Sequence, residues 1–155
     1  MKFIEEVVVE TFLPTYRSML AERLRELGLT QSEVAAHLGV SQSAVSKYVH
    51  GEIERHPRIA DDDRVQALVD RVGTGLAEGT MSRVQALVEA EALIRDLEAD
   101  DLLADLHAEA EPALAERAEA RTIYDPSGRL REREAVLVAL RRALGRLERT
   151  AGVAR

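Results

Sequence analysis

The sequence predicts an all-α protein, with a bundle of short helices at the N-terminus and a second helical region behind it. Leu, Ala, Glu and Arg, which are all strong helix formers, dominate the 155 residues. Aromatic residues make up only 3% and Trp is absent, so the core must consist mainly of Ala, Val and Leu side chains. Apolar residues also recur at helical spacing in nearly every segment.

The composition excludes several classes of function. The chain has no Cys, which excludes disulfides, zinc sites of the cysteine type and thiol catalysis. The first ten residues contain acids where a signal peptide needs an apolar run, and no stretch reaches the roughly 18 apolar residues of a membrane span. We therefore expect a cytoplasmic protein.

The charge is acidic, with a net value of −7. Of its 21 basic residues, only Lys2 and Lys47 are lysines, and the other 19 are arginines. An acid excess with few lysines is typical of proteins from salt-loving cells, whereas a GC-rich genome would also replace Lys by Arg, and both explanations stay open. The net charge argues against unspecific attraction to the phosphates of nucleic acid, and it says little about the fold.

The first segment, residues 3–12, is ambiguous between strand and helix. Its three consecutive valines favour a strand, but Ile4, Val8 and Phe12 also fit helical spacing. We predict a helix, because a lone strand would have no partner. Pro14 should then open a second helix, which Gly28 ends.

Two short helices follow, over about 31–38 and 42–49. Val34 and Leu38 lie one helical turn apart and should share a buried face. Gly39 can adopt the left-handed conformation of a sharp turn, and Ser41 can cap the next helix. Two helices joined by a short turn with glycine form a helix-turn-helix, whose second helix fits the major groove of DNA.

The second of these helices has one polar face, which carries no acidic residue. Val45, Tyr48 and Val49 should point inward, and the residues on the opposite side are Gln42, Ser43, Ser46, Lys47 and His50. Gln can pair with adenine, Ser with any base and Lys with guanine or a phosphate. In a chain with 28 acids, a merely solvated face would be expected to show Asp or Glu. The pattern therefore indicates a polyanionic partner.

The stretch LRELGLTQSEVAAHLGVSQSAVSKYVHG, residues 24–51, resembles the helix-turn-helix of the lambda-repressor/Cro-like family, also called the xenobiotic-response-element type. The similarity covers about residues 14–56. It is closest to archaeal predicted regulators, in which similar segments flank the motif. Some relatives have cysteines in the helix that corresponds to 82–99. This chain has none there, which puts a role in sensing metals or iron–sulfur clusters in doubt.

The resemblance implies a bundle of four or five helices for residues 1–57 and binding to double-stranded DNA. It implies that Gln42, Ser43 and Lys47 occupy base-reading positions and that Gln31 contacts a phosphate. Ser46 and His50 are candidates for base or backbone contacts, and Ser41, at the start of the same helix, completes the predicted DNA-binding set. No cofactor is implied.

A polar linker over residues 51–58, broken by Pro57, separates a predicted DNA-binding domain, 1–57, from a helical dimerisation or regulatory domain, 58–155. Behind it the pattern predicts helices over 61–78, 82–99, 101–121 and 129–149. Gly73 and Gly75 should weaken the first of these. The hexapeptide RVQALV occurs at 64–69 and again at 83–88, which favours two helices that pack by similar faces.

The last predicted helix carries leucines on a seven-residue repeat, which predicts a coiled-coil or bundle seam. These residues are the candidate dimerisation contacts: Leu130, Leu137, Leu140, Leu144 and Leu147. A homodimer would present two recognition helices to an inverted-repeat operator. The sequence marks no pocket for an effector.

Other polar clusters are better explained structurally. The acids at 61–63 suit a helix N-terminus and are not a metal site, and Gly73-Thr-Gly75 has neither the strand nor the lysine of a phosphate loop. No set of residues for hydrolysis is recognisable, so we do not expect an enzyme. An alternative function is a protein-interaction module, such as an antitoxin-like or adaptor subunit, that uses the same motif only as a scaffold.

Overall fold

The structure, a computed structural model, describes residues 1–99 and 102–114. Of these, residues 1–114 lie within one compact unit that extends to residue 115. The described residues form α-helices and no strand, which confirms the all-α prediction. The helices are α1 (Ile4–Val7), α2 (Leu13–Glu26), α3 (Gln31–Leu38), α4 (Gln42–Val49), α5 (Pro57–Ala60), α6 (Asp63–Ala77), α7 (Arg83–Ala99) and α8 (Leu102–Ala110).

The ambiguous N-terminal segment is helical, as predicted. A π-helical turn, Val8–Phe12, follows α1 and leads directly into α2. Pro14 lies in the first turn of α2, directly after the π-helical turn. The ring of Phe12 is fully buried and stacks on Tyr16, with centroids 5.7 Å apart. The strand alternative is wrong because this segment buries residues at helical spacing.

The central helix of the unit is α2, which packs against both α4 and α6. Its buried residues include Leu20, Ala21 and Leu24, and the last of these is completely inaccessible to solvent. Two buried hydroxyls on the same helix, Thr15 and Ser18, make hydrogen bonds to the segment that follows α4. One helix therefore positions both the short helices and the chain that leaves them.

The two glycines of α6 do not interrupt it. A side-chain carbon on Gly73 would lie 2.7 Å from Cγ of Arg23, and one on Gly75 would lie 2.7 Å from Cβ of Met81. Both glycines are thus needed where neighbouring segments approach closely. The expectation that they merely weaken the helix missed this packing role.

One prediction about the later helices is wrong, and another lies outside the described residues. The helix expected over 101–121 ends at Ala110, just before Pro112, and a 3₁₀ turn over Pro112–Leu114 follows. Pro112 has no N–H to continue the helical hydrogen bonds. The predicted helix over 129–149 and its leucines, from Leu130 to Leu147, lie outside the described residues.

The two copies of RVQALV do not pack by similar faces. In α6 the copy buries Val65, Leu68 and Val69. The equivalent residues of α7 are exposed, and that helix instead buries Ala86, Ala90, Leu93, Ile94 and Leu97. The valine, leucine and valine of the hexapeptide therefore face the core in one helix and solvent in the other.

Candidate nucleic-acid interface

The turn between α3 and α4 has the conformation that the sequence predicts. Gly39 ends α3 in the left-handed region, with φ of 65°. The N–H of Val40 donates to the carbonyl of Ala35 over 3.1 Å, which closes the end of α3. The hydroxyl of Ser41 accepts from the N–H of Ala44 over 3.2 Å and caps α4.

The start of α3 is fixed by a reciprocal capping box. The Thr30 hydroxyl accepts from the N–H of Glu33, and the Glu33 carboxylate accepts from the N–H of Thr30 over 2.7 Å. The hydrogen bond from the Thr30 backbone holds the pKa of Glu33 below its usual value. This carboxylate is therefore charged and directed to the helix N-terminus.

One buried face holds α4 against the rest of the protein. Val45 of α4 and Val34 of α3 are both fully buried in the common core. At the far end of α4, the hydroxyl of Ser18 donates to the carbonyl of Tyr48 over 3.3 Å. Arg55 in turn donates to that hydroxyl and pairs with Glu22, with 2.8 Å between Nη2 and Oε2. The helix is thus held at its middle and at its C-terminal end, which fixes the direction of its outer face.

The outer face of α4 carries the predicted polar residues together. Four of them are exposed, and Ser46 is half-buried: the exposed residues are Gln42, Ser43, Lys47 and His50. Over residues 41–51 the chain has no acidic side chain. Among the described residues, Lys47 has no carboxylate within ion-pair distance, so its charge is available to an outside anion.

Two serines and the histidine on this face also interact with one another. The hydroxyls of Ser41 and Ser43 lie 3.0 Å apart. Nδ1 of His50 lies 2.7 Å from the carbonyl oxygen of Ser46, so Nδ1 carries a proton and donates it. This leaves Nε2 of the exposed ring directed away from the hydrogen bond and able to meet another group.

The predicted phosphate contact, Gln31, is half-buried in the first turn of α3. An exposed arginine lies at the same end of the helix, because the guanidinium of Arg25 donates to the carbonyl of Leu29. Arg25 could not be predicted from the sequence, because its relation to α3 depends on the chain reversal at Gly28, where φ is 93°. A positive charge is therefore held at the carbonyl of Leu29, two residues before the first residue of α3.

The segment after α4 exposes negative charge instead of positive charge. Glu52 and Glu54 are exposed, whereas the basic residues of this segment are engaged within the protein. Arg58 donates to Asp105 and Glu109 of α8, with 2.7 Å to the latter. Between residues 25 and 58, the lysine and arginine residues that make no ion pair with a described residue are therefore Arg25 and Lys47.

Comparison with known proteins agrees with this geometry. A family model described as helix-turn-helix matches residues 20–78, from α2 to just beyond α6. These residues form a helix-turn-helix domain of the lambda-repressor/Cro-like family. No curated protein and no solved structure matches the chain. Closeness to archaeal regulators stays a prediction.

The match to the helix-turn-helix family extends past residue 57, where the sequence predicted a domain boundary. The last matched helix, α6, packs against α2 within the same core. DNA binding in the regulation of transcription is the role associated with this family. The division of labour between residues 1–57 and 58–155 stays a prediction.

The described residues include the acidic run 61–63. Asp62, in the acidic run 61–63, caps α6 by accepting from the N–H of Arg64 over 2.9 Å. Residues 1–99 and 102–114 contain no group of acids and histidines arranged to hold a metal ion. Within the same ranges, no helix is both long and apolar enough to cross a bilayer.

Proposed function

We propose that this protein is a sequence-specific transcriptional regulator that places α4 in the major groove of double-stranded DNA. The observation that carries the proposal is the acid-free outer face of α4, held rigidly by Val45 and the Ser18–Tyr48 hydrogen bond. Such a face stands out in a chain with net charge −7, because any acid there would repel the phosphates.

The residues have distinct roles in this proposal. Gln42, Ser43 and Lys47 contact base edges, since side chains of this kind at the start of a recognition helix reach the groove floor. Gln31 and Arg25 contact a phosphate at the start of α3 and so fix the position of the domain on the duplex. The remaining predicted contacts, to bases or backbone, are Ser41, Ser46 and His50.

The protein acts as a homodimer on an inverted repeat. A single recognition helix makes few contacts, and two of them on one face of the duplex read half-sites about 34 Å apart. Residues 1–57 supply the DNA contacts, and residues 58–155 supply the dimer contacts, including the predicted leucine seam. The proposed role is binding in the cytoplasm, without catalysis or a cofactor.

Selection of DNA from a random library by the purified full-length protein, repeated over a range of salt, tests the proposal. We expect an inverted-repeat consensus, with affinity that falls as salt rises. Recovery of no consensus at any salt, together with a stable protein partner in pull-downs, would instead indicate an interaction module.

A further inference from the structure

One face of α7 is apolar and uncovered. Val84, Leu87 and Val88 are 70%, 61% and 62% exposed. They lie at spacings of three and four residues, so they share one side of the helix. Scattered exposed apolar residues are ordinary, but three adjacent ones on a single helical face form a patch of the kind used for contacts between proteins.

The patch has a buried counterpart in the same molecule. Its three residues repeat the pattern of Val65, Leu68 and Val69 in α6, within an identical RVQALV sequence. In α6 those side chains are 0%, 2% and 6% exposed and pack into the helical core. The same side chains on the same helical face therefore suit coverage by another helix, which the described residues do not provide for α7.

The patch borders the helix-turn-helix. Nη2 of Arg83, the first residue of α7, lies 3.0 Å from where a Cβ on Gly39 would be. Leu87 lies one helical turn beyond Arg83 on the same side of α7. Whatever covers the patch therefore approaches the turn that precedes α4.

Charges are arranged around the patch with opposite signs at its two ends. Arg83 stands four residues before Leu87, and Glu91 stands four residues after it. Both are exposed, and neither forms an ion pair with another described residue. An antiparallel α7 from a second molecule, with the two Leu87 side chains opposed, would bring each Arg83 near the partner's Glu91.

We propose that the α7 patch is the contact surface for a second copy of this chain, with the two α7 helices antiparallel about Leu87. This inference rests on the proposed function and adds a dimer contact close to the DNA, separate from the leucine seam at Leu130–Leu147. The two-fold axis then passes beside both turns at Gly39. Both recognition helices consequently lie near one side of the dimer.

A charge-exchange experiment on the full-length protein tests the register. Arg83→Glu and Glu91→Arg are made singly and together, and the mass in solution is measured without DNA by sedimentation over a range of concentrations. We expect each single variant to dimerise at least tenfold more weakly than the parent. The double variant should recover most of the loss, because it restores two opposite-charge pairs. Single effects without recovery would overturn the antiparallel register.

An apolar pair of variants tests the surface itself. Leu87→Glu should shift the protein toward monomer by at least tenfold, whereas Val9→Glu, at a residue 60% exposed on another segment, should not. A parent that stays monomeric, or a Leu87→Glu variant that dimerises like the parent, would overturn the proposal. The first result would indicate that the patch is covered within one chain.

Binding to a single half-site separates this inference from the proposed function. Leu87→Glu should bind an isolated half-site as the parent does and lose affinity at least tenfold for the full inverted repeat. Equal affinity for the full repeat would overturn the α7 contact and leave DNA recognition intact. Failure of the parent to bind any half-site would contradict the proposed function itself.

Discussion

At the scale of single residues, the two lysines of the chain offer a matched comparison. Lys47 is exposed on α4 without a carboxylate partner among the described residues. Lys2 lies at the other end of the domain sequence, before α1, and pairs with Glu10. We predict that Lys47→Ala weakens binding to the selected site by about 1–3 kcal/mol, and that Lys2→Ala changes it little. Fluorescence anisotropy with labelled duplex measures both.

The salt dependence of the same two variants assigns the contact. If Lys47 meets a phosphate, its loss should lower the slope of log affinity against log salt by about 0.9. If Lys47 instead contacts guanine, the slope should be unchanged and the preference for guanine at one base pair should weaken. Identical affinities for Lys47→Ala, Lys2→Ala and the parent would refute a role for Lys47.

A second prediction at this scale concerns acid stability. The hydrogen bond from the Arg64 side chain lowers the pKa of Asp62, the cap of α6. Because the folded pKa lies below the unfolded value of about 3.9, this stabilisation is present above pH 4 and is lost as pH falls through the folded pKa. Asp62→Asn should be less stable than the parent at pH 7, and this deficit should shrink as the pH falls below 4.

Thermal melting followed by circular dichroism at several pH values checks this. Asp61→Asn is the matched control, since Asp61 is exposed and makes no ion pair with a described residue. An Asp62→Asn variant whose deficit in melting temperature is the same at pH 7 and at pH 2 would show that the Asp62–Arg64 pair does not stabilise the fold.

At the residue scale the sequence indicated much of the site. Gly39 and Ser41 could be assigned roles because a turn and a cap have local residue preferences. Arg25 and Arg83 could not be assigned roles in this way. Arg25 approaches the start of α3 through the chain reversal at Gly28, and Arg83 approaches Gly39 from the later helix α7. The local sequence pattern indicates which side of a helix is polar. It does not indicate which cation from a distant part of the chain lies beside that helix.

At the scale of elements, Gly73 gives the clearest prediction. Gly→Ala inside a helix ordinarily adds up to about 1 kcal/mol of stability. Here the new carbon would lie 2.7 Å from Cγ of Arg23, near the root of that side chain, so α2 and α6 would have to separate. We predict that Gly73→Ala lowers the free energy of unfolding.

Urea denaturation measures this, with Ala67→Gly as the comparison at an exposed position of the same helix. The control should lose about 1 kcal/mol through helix propensity alone. A Gly73→Ala protein more stable than the parent would mean that α2 and α6 accommodate the added carbon without a loss of stability.

The helices themselves were predictable where their boundaries are local. Caps, glycines and apolar spacing located α3, α4 and α6 within one or two residues. The break at Pro112 and the exposed face of α7 were not anticipated. Periodicity identifies an apolar face, but whether a face is covered depends on partners that are remote in sequence or belong to another molecule.

At the scale of the whole molecule, the folding unit is larger than the predicted DNA-binding domain. Val65, Leu68 and Val72 of α6 are buried in the core that α2 shares. We predict that a fragment ending at residue 57 fails to fold, and that residues 1–115 unfold in a single cooperative transition. A cooperative transition for residues 1–57 would instead support a folding boundary there.

The central claim is that the outer face of α4 reads DNA sequence, and base preferences test it most directly. Affinities of the parent and of Gln42→Ala would be measured on every single-base variant of the selected site. We predict that Gln42→Ala loses preference at one symmetric position of each half-site and keeps the others. A preference profile identical to that of the parent, at Gln42 and likewise at Ser43 and Lys47, would contradict the account.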